Sequence, residues 1–208
     1  QLRRPGGIDT YQFHEEKMFR RLTDESLEDG FKWGNMNKEG VFVDYYTLRM
    51  VYNLRGQFMR FSAELIRNAH IAKGRGDDDL FQERLHKAAV VLERCFEVMP
   101  ISNVQPDEIS YYLVKNYYDV AYADPSNEKA LAQANFYAKQ LMDIRLNDLD
   151  YFSKLDAEWS GKMIREMGKT LQHLEDLRDY SIAPRDPLTG NQPTTEAQYG
   201  ILEGTRYT

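Results

Sequence analysis

Residues 84–121 read RLHKAAVVLERCFEVMPISNVQPDEISYYLVKNYYDVA, and this stretch leaves the chain few ways to fold. Ala88, Leu92 and Cys95 recur at spacings of four and three, which aligns them on one face of a helix. Pro100 has no amide hydrogen and disfavours helix at Met99, so the rod ends there. Pro106, Asp107 and Glu108 then open a second rod, because proline suits a first turn and acids suit the positive end. A rod that restarts after so short a polar link folds back on its predecessor, which predicts antiparallel helix pairs.

The same punctuation recurs along the chain. Residues 1–12 carry Pro5, Gly6 and Gly7 and read as an irregular lead-in; Phe13, Met18, Phe19 and Leu22 then suggest a short helix reaching about Leu27. The glycine-rich run GFKWGNMNKEGVF, residues 30–42, reads as a loop, with Trp33 as its anchor to the core. Asp44 is the expected cap of a long helix on which Leu48, Val51, Phe58, Phe61 and Leu65 share a face. KGRGDDD, residues 73–79, breaks that helix: Gly74 and Gly76 suit left-handed angles and the aspartates suit the next start. A partner helix from about Asp79 to Val98 carries Leu80, Leu85, Ala88, Ala89, Leu92, Cys95 and Phe96. The rod opened at Pro106 reaches about Tyr122, and Ser126 or Asn127 caps a helix over about 128–150. An amphipathic helix over about 154–180 presents Leu155, Trp159, Met163, Met167, Leu171 and Leu174. Only VFVDYY reads as a strand, and it has no partner. The class is therefore all-α: a lead-in over 1–42 packed on the body, a helical body over 43–181, and an extended tail over 182–208.

Bulk properties exclude some functions. A net charge of −6 argues against a duplex nucleic-acid binder, which needs a basic face. The single cysteine, Cys95, forms no internal disulfide and reads as a small buried hydrophobe within its helix. No apolar run approaches the roughly 18–20 residues of a membrane span, and no signal peptide is visible. The chain begins at Gln1, which suggests a piece of something longer.

The helix pairs have the grammar of a helical repeat. Ala88, Leu92 and Cys95 with the closing Pro100 look like the second half of a tetratricopeptide unit, with Phe61, Ser62 and Leu65 on its first helix. A second unit uses Leu113, Val114 and Tyr117, then Ala134, Ala138 and Leu141, and the helix over 154–180 would cap the short degenerate superhelix. Over about Phe31 to Leu155, the segments WGNMNKEGVFVDYYTLRMVYNLRGQFMRFSAELI, VLERCFEVMP and NDLDYFSKL resemble the C-terminal region of large bacterial multi-spanning membrane proteins. Those proteins resemble protein O-mannosyltransferases of the glycosyltransferase-C type, and this region was long catalogued as a domain of unknown function. The resemblance implies a tetratricopeptide-like domain on the extracytoplasmic (periplasmic) side of the inner membrane. It implies no catalysis by this chain and a role in holding a protein or glycoprotein partner, or the membrane part of the same chain. The hairpins here are longer than the roughly 34-residue repeat period, and the tail is additional.

Motif chemistry is sparse. Glu83 and His86 form half of a di-iron pair, but no second Glu-x-x-His accompanies them, and HEE at 14–16 lacks zinc-protease spacing. No phosphate-binding loop or nucleophile elbow occurs, so no metal, cofactor or catalytic residue is assigned. Tyrosine is the distinctive residue, with fourteen copies that include the pairs 45–46, 111–112 and 117–118. Adjacent residues on a helix cannot all face one core, so about half of these rings should reach the surface. Their rings either pack between helices with hydroxyls at the rim or form a concave face for peptide or glycan. The candidate contacts are Tyr45, Tyr111 and Tyr118 with Arg49, Arg60, Lys115 and Asn116. Arg55, inside the apolar stripe, reads either as a paired core-edge residue or as an anion contact in a groove. Two other roles stay open: a free-standing soluble carbohydrate- or peptide-binding protein or enzyme, which predicts a deep polar pocket, and a cytoplasmic scaffold. The helix-face assignment has a direct test. Leu92→Ala is expected to lower unfolding free energy by about 2–5 kcal/mol in urea titrations, and a loss near zero would place Leu92 outside the core.

Overall fold

Side chains at helix ends set the architecture. A computed structural model of the chain describes residues 14–28 and 30–182. Among them it shows no strand and six helices: α1 (Glu15–Thr23), α2 (Tyr45–Gly74), α3 (Asp78–Val98), α4 (Glu108–Ala123), α5 (Glu128–Ser153) and α6 (Ala157–Ile182). Asp44 caps α2 by accepting from the amides of Tyr46 and Thr47. Asp77 caps α3, and Asn127, the second of the two expected candidates, caps α5. Asp107 and Ser110 form a reciprocal capping box at the start of α4, with Pro106 just outside it. Between α2 and α3, Gly76 takes φ +78°, while its amide and that of Asp77 donate to the carbonyls of Lys73 and Ala72. This pattern needs the left-handed conformation and closes the hairpin in three residues. Gly74 stays helical, contrary to expectation.

α2 packs along α3, α4 along α5, and α4 also lies against α2. Ala88, Leu92 and Cys95 are fully buried at the first of these seams, beside Phe58, Phe61 and Leu65. Asn116 joins α4 to α2: its Nδ2 donates to the Met59 carbonyl at 3.0 Å and to Ser62 Oγ at 2.8 Å. The lead-in helix is shorter than expected. It docks on α3 through the buried Leu22 and a row of ion pairs in which Arg84 meets Glu15 at 3.2 Å, Lys87 meets Glu16 at 3.2 Å, and Arg94 meets Glu25. Trp33 anchors the following loop between Phe31 and Phe58. The strand candidate VFVDYY is instead the end of that loop and the first residues of α2, because Asp44 caps the helix inside it.

α6 corrects a second expectation. Trp159 and Leu171, placed on its buried side by periodicity, are about half exposed. The buried positions are Thr170, Leu177, Tyr180 and Ser181, so α6 docks through its C-terminal half on α4 and α5. Tyr122 of α4 anchors that end by donating to the Ser181 carbonyl at 2.9 Å and to that of Tyr180 at 3.2 Å. Apart from Ile182, the expected tail falls outside the described residues.

Arg55 sits where α2, α3 and α4 meet, fully buried. Its Nη2 donates to the carbonyls of Met99 at 3.2 Å and Val104 at 2.8 Å, and its Nη1 donates to that of Gln105 at 2.9 Å. Asp107 Oδ1 lies 3.5 Å from Nη1. The guanidinium thus satisfies carbonyls at the end of α3 and in the link to α4, which have no helical amide to accept from. Arg55→Met is expected to cost about 3–5 kcal/mol, because it strands these acceptors and a carboxylate. Arg55→Lys should recover only part, since one ammonium cannot span all three carbonyls. Chemical denaturation of the two variants checks this ordering.

Candidate functional site

Among the described residues no helix packs on the outer side of the first turns of α2, and large apolar side chains there stand in solvent. Tyr45 is 68% exposed, Tyr46 77%, Met50 68% and Phe42, two residues before the cap, 88%. The rings of Tyr45 and Tyr46 meet edge to face with centroids 5.7 Å apart. Arg49, Asn53 and Arg60 continue the same exposed stripe along α2, at helical spacing from Tyr45, Tyr46 and Met50. Beside the patch lies a groove of about 440 Å³ lined by Val41, Val43 and Leu48 with Asn103 and Gln105. Asn103 steadies the loop forming one wall, donating to the Met36 carbonyl at 2.9 Å and to that of Lys38 at 2.8 Å. The arrangement offers large rings and a thioether on a rigid helix, edged by cations and amides, which suits contact with another macromolecule.

The sequence-derived candidates therefore separate. Tyr45, Arg49 and Arg60 share the α2 stripe. Arg55 is removed from any groove by its burial among carbonyls, so its role is architectural. Tyr118 is buried as well and donates to Asn135 Oδ1 of α5 at 2.9 Å. Asn116 is spent on α2. Lys115 pairs with Asp119 one turn along and lies 5.9 Å from the Tyr180 ring centre. The tyrosine doublets behave differently from one another: 45–46 is open on both sides, 111–112 splits into a buried and an exposed ring, and 117–118 is wholly buried.

Tyr111 belongs to a second locus, a cavity of about 270 Å³ between α4 and α6. Its ring is stacked on His173, with centroids 4.2 Å apart and planes 14° from parallel. Arg145 of α5 donates from Nε to the Tyr111 hydroxyl and from Nη1 to Asp148 at 2.9 Å. Burial, and then the positive charge of Arg145, lower the proton affinity of His173 below that of an ordinary imidazole; Glu108 and Asp176 act the other way. Sequence reading named Tyr111 but not Arg145 or His173, because residues from three separate helices leave no common spacing.

Among the described residues, no group of three or more His, Cys, Asp or Glu side chains is placed to hold a metal ion. Glu83 pairs with Lys87 at 2.7 Å, and His86 faces solvent. Burial pushes the Cys95 thiol up to about 12, the reverse of what a nucleophile needs. No described helix is long and apolar enough to cross a membrane. No known protein family, curated protein or solved structure matches the chain.

His173 gives the cavity a pH signature. The unfolded imidazole takes up its proton first as pH falls below about 6.5, so the stability His173 contributes is complete above that value and declines beneath it. His173→Phe keeps a ring against Tyr111 but cannot titrate. Between about pH 7.5 and 5.5 the native chain should lose more of its urea midpoint than this variant; parallel profiles would contradict the assignment.

Proposed function

We propose that this chain is a non-catalytic helical-repeat domain. In this reading it lies on the extracytoplasmic side of a bacterial glycosyltransferase-like membrane protein, where it holds a protein or glycoprotein partner. Its partner is an acceptor protein, a neighbouring subunit or the membrane part of the same chain. The observation that carries this reading is the exposed stripe of α2, with Phe42, Tyr45, Tyr46 and Met50 all more than two-thirds exposed. Large aromatic rings and arginine dominate the energetic centres of protein interfaces. The stripe sits on a 30-residue helix fixed along its opposite side by α3 and α4, so a partner meets a surface that is already ordered. Packing of α4 on α2 as well as on α5 is in keeping with a stack of helical repeats. The membrane context and the link to glycosyl transfer rest on the resemblance of the segments between Phe31 and Leu155.

A specific observation supports a second reading, a free-standing carbohydrate- or peptide-binding protein or enzyme: the cavity between α4 and α6 is lined by both polar and aromatic groups. Two measurements separate the readings. The gene upstream of Gln1 should encode several apolar spans of about 20 residues; a signal peptide directly upstream would favour the second reading. A photoreactive residue at position 46 of the full-length protein, in its native membrane, should crosslink to a defined partner that one at Lys139, exposed on α5, does not reach. The triple change Phe42→Ser, Tyr45→Ser, Tyr46→Ser should leave helix content intact and weaken that complex at least about thirty-fold, the scale of a single hot spot. Equal crosslinking from both positions, or an unaffected complex, would overturn the docking role of the stripe.

A further inference from the structure

Leu22 is the one buried residue of α1, with Met18 and Phe19 half covered beside it. The rest of its seam with α3 is a line of charges. Glu15 meets Arg84 at 3.2 Å, Glu16 meets Lys87 at 3.2 Å, and Glu25, just past the helix, meets Arg94. Arg84, Lys87, Val91 and Arg94 follow one another at spacings of three, four and three, so α3 presents a basic ridge around the buried Val91. That ridge is complementary to an acidic amphipathic helix, and α1 is one. Nine residues are too few to hold a helix in water, so α1 owes its order to this face. Partly exposed ion pairs contribute little each, and α1 therefore opens more readily than the apolar seam between α2 and α3.

The link that keeps α1 on its own body folds back on itself and is tightly fitted. The Phe31 amide donates to the Arg21 carbonyl at 3.2 Å and the Gly30 amide to that of Leu27 at 3.2 Å, while Lys32 Nζ donates to those of Glu25 at 2.6 Å and Leu27 at 2.8 Å. A side-chain carbon at Gly30 would stand 2.8 Å from the Asp24 carbonyl oxygen and 3.2 Å from Leu27 Cβ, closer than such atoms pack. We propose that the basic face of α3 is a docking site between copies of this chain: two molecules exchange α1, each laying its acidic helix on the other's α3. Every contact between α1 and α3 is the same in the exchanged pair as in the single chain, so the face does not distinguish which copy supplies the helix. What differs is the link, which opens. Its two bonds from Lys32 are exposed, and water replaces them at little cost. The inference is independent of the α2 stripe and of any membrane context.

Charge reversal tests the exchange in the intact chain. Glu15→Arg with Glu25→Arg makes one variant, in which like charges meet across its own seam; Arg84→Glu with Arg94→Glu makes the other. Lys87, which also pairs with Glu83, is left in place. Mixed, the two variants recover opposite charges at both seams only by trading α1. Sedimentation equilibrium should show a one-to-one dimer at least about ten-fold tighter than the self-association of either variant. Gly30→Ala, at native charge, strains the closed link alone; relief of about ten-fold at each link should tighten self-association roughly a hundred-fold in the reciprocal pair. Gly168→Ala, whose added methyl meets open space on α6, should leave association unchanged. The proposal is overturned if the mixture associates no more tightly than its parts, or if Gly30→Ala associates no more tightly than the native chain. Should a charge variant lose its helical circular dichroism, the Gly30→Ala comparison decides by itself.

Discussion

A single guanidinium stands where three helices meet and does what no backbone amide there can do. Pro100 and Pro106 bracket a link whose carbonyls lie outside any helix; Val104 is buried there, while Ser102 and Gln105 face solvent. Arg55 answers Met99, Val104 and Gln105 at once and leans on the carboxylate that caps α4. Arg55 thereby ties the end of α3 and the start of α4 to α2, and Asn116 makes a second polar tie between α4 and α2. The Nε of Arg55 alone remains without a partner, a small cost beside the acceptors satisfied.

Much of this was readable in the sequence because the signals are local. A cap, a glycine with positive φ or a proline acts within four residues, and Asp44, Gly76, Asn127 and Pro100 each act where their chemistry predicts. Stripes were readable where helices are packed along their length, as for Ala88, Leu92 and Cys95. The stripe of α6 misled because periodicity shows which side of a helix is apolar and not whether a neighbour covers it. Trp159 stands on the side of the buried Thr170 and Leu177 but about three turns before Thr170, where it is half exposed, and Leu171, next to Thr170 in sequence, lies about a third of a turn round from that side. The expectation of a strand at 41–46 failed for a related reason: alternation over so few residues loses to a capping aspartate.

The candidate site was half legible. Tyr45, Arg49 and Arg60, candidates by residue type, lie on one stripe, whereas Tyr118, a candidate on the same grounds, and Arg55, distinguished by its place in an apolar stripe, lie inside. Residue type does not distinguish a ring used to fill the space between helices from a ring offered to a partner. What separates Tyr46 from Tyr118 is the number of neighbouring helices at each point, a property of the assembled chain. The grouping of Tyr111, Arg145 and His173 is still less visible in sequence, since it needs α4, α5 and α6 together.

The row of charges under α1 has a consequence of its own. Glu15 and Glu16 of α1, with Glu25 just after it, pair with Arg84, Lys87 and Arg94, and Leu22 is the one buried residue of α1, whereas α2 and α3 meet along a long apolar seam. Dissolved salt acts on these two kinds of adhesion in opposite directions. Ammonium sulfate shields opposite charges from one another and at the same time drives apolar surfaces together. Concentrated brine would therefore tighten the trunk of this protein while loosening the lead-in helix lashed to its side.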